Sequence, residues 1–282
     1  MDKIIGLGNA LIDVLATLKD DTLLDELELP KGSMQLIDDA KLQQINTKFS
    51  QMKTHLATGG SAGNAILGLA CLGAGTGFIG KVGNDHYGDF FRKNLQKNNI
   101  EDNLLTSEQL PSGVASTFIS QDGERTFGTY LGAAASLKAE DLTLEMFKGY
   151  AYLFIEGYLV QDHEMILHAI ELAKEAGLQI CLDMASYNIV ENDLEFFSLL
   201  INKYVDIVFA NEEEAKAFTG EEPEEALRVI AKKCSIAIVK VGANGSYIRK
   251  GTEEIKVSAI PVEKVLDTTV QAIISLPDFC MV

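Results

Sequence analysis

Asn9, Asp13, Asp183, Asn211 and Glu214 fall at or near the ends of short apolar runs, and two glycine turns, Gly59-Gly60 and Gly242 to Gly245, stand among them. Carboxylates accept hydrogen bonds from hydroxyls, amides both donate and accept, and paired glycines let backbone N–H groups turn toward a ligand. The stretch Leu56-Ala57-Thr58-Gly59-Gly60-Ser61-Ala62-Gly63-Asn64-Ala65 feeds a helix for which Ser61 is the expected N-cap. Such an N-terminus favours oxygen-rich or anionic ligands, because free N–H groups and the helix dipole converge there. Together these groups suit a polyol, a phosphate donor and Mg2+. Taken singly, each has a plainer use. Asp183 would cap a helix, Asn211 would cap 212–218, and Gly242 to Gly245 would turn a hairpin into 246–249.

Such groups act together only if their strands end together. Apolar runs predict strands over 3–7, 12–18, 33–37, 76–79, 102–106, 152–155, 178–182, 205–209 and 236–240. Residues 113–120 and 125–131 alternate around Gln121-Asp122-Gly123-Glu124, whose Asp-Gly pair predicts a hairpin turn. Helices are predicted from Asp38 or Asp39 to about 51, then over 62–72, 86–97, 162–175, 190–203 and 211–231, the last broken near Gly220 and Pro223. Residues 19–32 read as acidic and irregular. Buried strands alternating with helices predict an α/β fold of three layers: a mostly parallel central sheet with helices on both faces. The half-polar segments near 11–18, 33–37 and 113–131 do not fit inside that sheet and suit a small β lid over the site. No linker divides the chain, so residues 1–269 read as a single domain. Ligands of such sheets bind beyond the carboxyl ends of the strands, where the groups named above gather. Gly6-Leu7-Gly8-Asn9-Ala10-Leu11 is not a dinucleotide fingerprint, since Leu11 stands at the third glycine position and another strand follows.

Bulk properties exclude other classes. The balance of 41 acidic to 24 basic residues, net −17, argues against nucleic acid or an anionic membrane as partner. Cys71, Cys181, Cys234 and Cys280 are widely spaced and read as buried thiols in a reducing compartment. No signal peptide and no membrane-spanning run is visible, and a cytoplasmic location is expected. His163 and His168, the one close histidine pair, are spaced i,i+5 and do not share a helical face.

The ordered motifs resemble the ribokinase-like (PfkB-type) family of carbohydrate and nucleoside kinases. The resemblance rests on Gly59-Gly60-Ser61-Ala62-Gly63-Asn64-Ala65 with Gly80-x-x-Gly83-Asn84-Asp85-x-x-Gly88, on Asn211-Glu212-Glu213-Glu214, and on Lys240-Val241-Gly242-Ala243-Asn244-Gly245. Glu124-Arg125-Thr126 and Thr129-Tyr130-Leu131-Gly132-Ala133 lean toward adenosine-kinase-like members. The resemblance implies ATP and Mg2+ as cofactors and a small sugar or nucleoside as partner, with a homodimer through the lid. It implies substrate binding by Asn9, Asp13, Gly59, Gly60 and Asn64, and nucleotide binding by Asp183, Lys240, Gly242, Gly245 and Thr268. Asn211 and Glu214 would organise Mg2+ through water, and Arg125 would reach from the lid toward the phosphates. Asp183 is followed by Met184-Ala185 where many sugar kinases carry an Asn, which weakens assignment to ribose or fructose.

After Asp267-Thr268-Thr269 the pattern departs. The family's D-T-x-G-A-G-D signature supplies an anion hole and a catalytic base, but residues 270–282 contain no glycine and Ile273 stands where the base belongs. One permitted back-translation of 270–282, shifted by a single restored nucleotide, reads G-A-G-D-Y-F-A-A-G-F-L-Y-G. The expectation is therefore an out-of-frame tail over 270–282, no catalytic base, and a crippled kinase. The alternative is a non-catalytic sugar- or nucleoside-binding or regulatory protein.

Overall fold

The computed structural model of the protein describes residues 2–260. The strands are β1 (Ile4–Leu7), β2 (Leu11–Thr17), β3 (Met34–Leu36), β4 (Thr54–Gly59), β5 (Thr76–Gly83), β6 (Ile100–Ser107) and β7 (Gly113–Ile119). They continue with β8 (Arg125–Tyr130), β9 (Tyr152–Glu156), β10 (Gln179–Asp183), β11 (Ile207–Asn211), β12 (Ile236–Lys240), β13 (Ser246–Lys250) and β14 (Glu253–Val257). The helices are α1 (Thr22–Glu26), α2 (Asp39–Phe49), α3 (Ser61–Cys71), α4 (His86–Lys97), α5 (His163–Glu175), α6 (Tyr187–Asn192), α7 (Leu194–Lys203), α8 (Glu212–Thr219) and α9 (Pro223–Ile230).

Nine strands form the main sheet in the order β14-β13-β12-β11-β10-β9-β1-β5-β6. It is parallel from β12 to β6, and antiparallel only at its β12–β13–β14 end. Alternation along each strand sends side chains to opposite faces, and both faces are apolar. Leu153, Ile155, Val208, Ala210, Ala237 and Val239 join one core, with α5, α7, α8 and α9 packed over it. Phe154, Phe209, Ile236 and Ile238 join the other, with α3 and α4. This is the expected mostly parallel α/β sheet with helices on both faces.

The second sheet has five strands, β3-β8-β7-β2-β4, and gathers the three half-polar segments, here called the lid, with one strand more than the sequence shows. Ile12, Val14 and Ala16 of β2 pack with Leu42, Ile45 and Phe49 of α2 on one lid face. Leu11, Asp13 and Leu15 line the other, half-exposed face. The added strand is β4, an edge strand antiparallel to β2. Its Thr-His-Leu-Ala-Thr-Gly sequence is largely exposed and carries no apolar alternation for a reader to find.

Helix boundaries follow cap chemistry. Asp85 opens α4 by accepting from the amides of Tyr87 and Gly88, Asp162 opens α5, and Gly220, left-handed at φ 77, ends α8 before Pro223 starts α9. Four local expectations are corrected. Ser61 is the first residue of α3, and its cap is Gly60, whose φ of 87 no Ser adopts cheaply. Residues 19–32 contain α1, which buries Leu24. The helix expected over 190–203 is two, divided at Asp193. Cys71 is exposed at the end of α3, whereas Cys181 is buried and Cys234 half-buried; Cys280 lies outside the described residues. Among the described residues no helix is long and apolar enough to cross a membrane.

Candidate functional site

From β1 the chain passes through the lid to β5 and β6 on one side, then returns to β9, β10, β11 and β12 on the other. The winding direction reverses beside β1, and the crevice outside the carboxyl ends at such a point is where open parallel sheets bind ligands.

The floor of that crevice is tightly cross-linked. Glu156 ends β9 and is 1% exposed. One of its oxygens accepts from the Asn9 amide at 2.9 Å and from Asn9 Nδ2 at 2.6 Å, and the other from the Ala62 amide at 2.9 Å. Burial pushes the Glu156 carboxyl up, against the pull of these N–H donors, and the charge of Asp183 adds to the rise. The glycines are fitted to this floor. A Cβ at Gly59 would fall on the Asp13 carboxylate, and one at Gly60 on the carbonyl of Asn9. Asn64, in the first turn of α3, donates its amide to the Gly60 carbonyl at 2.9 Å. Asn9, Asp13, Gly59, Gly60 and Asn64 are thus brought into one cluster.

A second cluster continues along the same edge. Glu156 and Asp183 are register partners on β9 and β10, and Asn211 and Lys240 on β11 and β12. Lys240 Nζ binds Asp183 Oδ2 at 3.0 Å, both side chains being nearly buried. Burial works against the Lys240 ammonium, yet the Asp183 and Glu214 carboxylates outweigh it and hold its pKa above the ordinary value. Glu214 is raised to about 7, first by burial and then by Asp183, with Lys240 opposing. Tyr158, pushed up to about 12 by burial and by Glu156, Glu214 and Asp183, marks where the two clusters meet. With strands spaced as usual, Asn9 and Lys240 stand about 19 Å apart across four strand intervals.

Asn211 is also the N-cap of α8, as its plainer use suggested. Its Oδ1 accepts from the Glu214 amide at 2.8 Å, while Glu214 accepts from the Asn211 amide at 2.7 Å and from Nδ2 at 2.8 Å. Among the described residues no group of three or more His, Cys, Asp or Glu side chains could hold a metal ion. The chemistry of Glu214, capped by Asn211, and of Asp183 beside it would suit the waters of a hydrated Mg2+. Gly242 and Gly245 do turn the β12–β13 hairpin, the Val241 amide donating to the Gly245 carbonyl at 2.8 Å. Gly245 is needed because a Cβ there would strike the Val257 carbonyl; Gly242, φ 54, faces open space. Thr268 and Ile273 lie outside the described residues.

Arg125 is not brought to this edge. Leu11 pairs with Gly113 at the lid base, and Thr17 pairs with Ile119, which faces Arg125 across the hairpin. Six residues of strand place it about 20 Å out along the lid. Asp85 has a structural task besides capping α4: it accepts from the amide and hydroxyl of Ser112, both at 2.7 Å, and so fastens the start of β7.

The residue the sequence reading missed is Glu156. The available signal was an acid closing the apolar run Tyr152-Leu153-Phe154-Ile155, beside Gly157, whose Cβ would strike the Asp183 carbonyl. A groove of about 330 Å³ at the opposite strand ends, between Lys174, Asp206 and Lys233, lies far from these groups.

Fold, switch point and paired clusters define a ribokinase-like α/β protein. Residues 32–269 match the model of the pfkB family of carbohydrate kinases, and the chain belongs to that family. Guanosine-inosine kinase of Escherichia coli strain K12 is 25% identical over 264 residues, covering 89% of this chain and 61% of that protein. The chain thus spans about three-fifths of that relative's length. A probable sugar kinase from Rhizobium etli CFN 42 superposes with a TM-score of 0.87 at 30% identity, covering 99% of this chain and 87% of its own. The adenosine kinase from Sinorhizobium meliloti gives 0.85 at 30% identity, covering 99% and 88%.

Proposed function

We propose that this chain is built to move the γ-phosphate of ATP to a hydroxymethyl group of a sugar or nucleoside, and that residues 270–282 leave it without the base that the transfer requires. The observation that carries the reading is the continuity of the two clusters along one sheet edge. Asp13 and Asn9 would accept and orient ligand hydroxyls over the Gly59-Gly60 turn. Lys240 and the hairpin at Gly242 would lie toward the phosphates. Bound Mg2+ would neutralise phosphate charge, held by the phosphates and, through water, by Glu214 and Asp183. Arg125 would take part only after a large inward movement of the lid. A nucleoside is favoured over ribose by the adenosine-kinase-like lid sequence around Arg125 and by the guanosine-inosine and adenosine kinases among the named relatives.

The family match ends at residue 269, which supports the frame-shifted reading of the tail. The second reading, a binding protein that kept its sugar side and lost the chemistry, is favoured by Ile273 at the position of the base. A homodimer through the lid belongs to the same proposal; Leu36, 64% exposed on β3, and Leu56, 41% exposed on β4, occupy the lid's two edge strands.

The test compares this chain with one carrying G-A-G-D-Y-F-A-A-G-F-L-Y-G after Thr269. Each receives ATP, Mg2+ and a panel of adenosine, guanosine, inosine, ribose and fructose. The repaired chain is expected to phosphorylate at least one nucleoside, and the present chain to fall below it by a factor on the order of 10³ or more. Equal turnover by the two chains would contradict the account of the tail. No turnover by the repaired chain would favour the binding protein.

A further inference from the structure

The nine-stranded sheet ends in β14, which among the described residues pairs with β13 alone. One register row runs unbroken to that edge: Phe209 of β11 pairs with Ile238 of β12, Ile238 with Ile248 of β13, and Ile248 with Ile255 of β14. Phe209 and Ile238 are buried, Ile248 is half-buried and Ile255 is 57% exposed, so the apolar row stops in solvent. An open edge strand is a template for another strand, because a row of its N–H and C=O groups is unpaired. The turn fixes which groups those are. Gly251, at φ 58, and Thr252 join β13 to β14, and Lys250 pairs with Glu253 across them. In such a two-residue hairpin the closing pair exchanges both of its hydrogen bonds. Glu253, Ile255 and Val257 therefore bond toward β13, and Glu254 and Lys256 offer their backbone groups outward.

We propose that β14 is a self-pairing edge, at which two copies of this chain join antiparallel about a two-fold axis at Ile255. That register sets Glu254 of each copy opposite Lys256 of the other, in the two hydrogen-bonded positions. Ile255 meets Ile255 between them, where facing side chains lie closest, and the apolar row crosses the junction. An axis at Glu254 or at Lys256 would instead oppose like charges, so charge selects the Ile255 register. Both side chains have light ties within their own chain: Glu254 holds Arg228 at 3.2 Å and Arg249 at 3.1 Å, and Lys256 meets the Tyr247 hydroxyl at 3.4 Å. Five residues from each copy make a small interface, so the association is weak and reversible. It lies on a different sheet from the lid and does not depend on the kinase reading.

Sedimentation equilibrium of the whole chain, at concentrations up to on the order of 100 µM, tests it. Every measurement is repeated in a Leu36→Lys background, so that pairing through the lid does not enter. Self-association should persist in that background, and Ile255→Lys should weaken it at least about tenfold. Lys256→Glu and Glu254→Lys should each weaken it about tenfold, because like charges then meet at both hydrogen-bonded positions. Mixed in equal amounts, those two variants should pair with each other about as tightly as the original chain, since each acid again faces a lysine. A merely adhesive surface would show no such recovery. A monomer at every concentration, undiminished association in Ile255→Lys, or a mixture no tighter than its two components would overturn the proposal. Glu254→Lys also removes the carboxylate that Arg228 and Arg249 share. Should that variant not fold, Lys256→Glu alone decides: a loss of about tenfold supports the proposal, and unchanged association refutes it.

Discussion

The sheet edge is built on two plans. From Asn9 to Lys240 the acids that end the strands and open α8 are buried and answered: Glu156 by Asn9 and Ala62, Asp183 by Lys240, Glu214 by Asn211. Beyond Lys240 the same edge runs into a hairpin whose Gly242 faces open space and whose β14 is exposed throughout, with Ile255 57% exposed. The first plan fixes direction before a ligand arrives, since buried partners cannot turn away without leaving an unpaired group. The second leaves backbone free to follow whatever lies against it. Substitutions along the two stretches should therefore differ in kind as well as in size.

The largest effect is expected at Lys240→Met, which leaves Asp183 and Glu214 facing each other with no cation between them. Removing one partner of a buried pair costs roughly 3–5 kcal/mol, and denaturant unfolding measures it; a loss below about 1 kcal/mol would place the pair with surface ion pairs. Gly60→Ala follows. Its φ of 87 and the carbonyl of Asn9 in the path of the new Cβ should destabilise the fold by about 2–3 kcal/mol. Gly242→Ala, also at positive φ but in open space, should cost about 1 kcal/mol. Equal costs at Gly60 and Gly242 would erase the contrast between the two stretches.

A subtler distinction lies in pH. The Glu214 pKa is raised from 4.5 in a free side chain to about 7, so the folded protein holds a proton that the unfolded chain has released. That contribution is complete below pH 4.5 and is lost as pH rises through about 7. Glu214→Gln should flatten this part of the stability profile, narrowing the fall in melting temperature across that window by roughly 5 °C. Parallel profiles for the two proteins would show that Lys240 keeps Glu214 ionised throughout.

How much of this was readable from the chain depended on whether a residue's task was local. Asp85 caps α4 two and three residues from the amides that donate to it, and the predicted span of that helix agrees with the observed His86–Lys97. The apolar strands β9 to β12 announce themselves because both faces are buried. Register does not announce itself. Arg125 looks like a phosphate ligand until the pairing of Thr17, Ile119 and Arg125 sets it at the outer end of the lid. β4 was hidden by its exposure, and Glu156 by its solitude, since its partners lie 147 and 94 residues away. Glu156 was legible only once β1, β9 and α3 stood side by side, and β4 only once it paired with β2.

The most direct test of a single pre-formed cleft is calorimetric titration of adenosine against the chain and its Asp13→Asn variant. One site per chain is expected, weakened about a hundredfold in the variant, because a charged acceptor for ligand hydroxyls is lost while Gly59 still makes room for the side chain. Adenosine binding that is indifferent to Asp13 would mean that the ligand sits elsewhere, and would contradict the account.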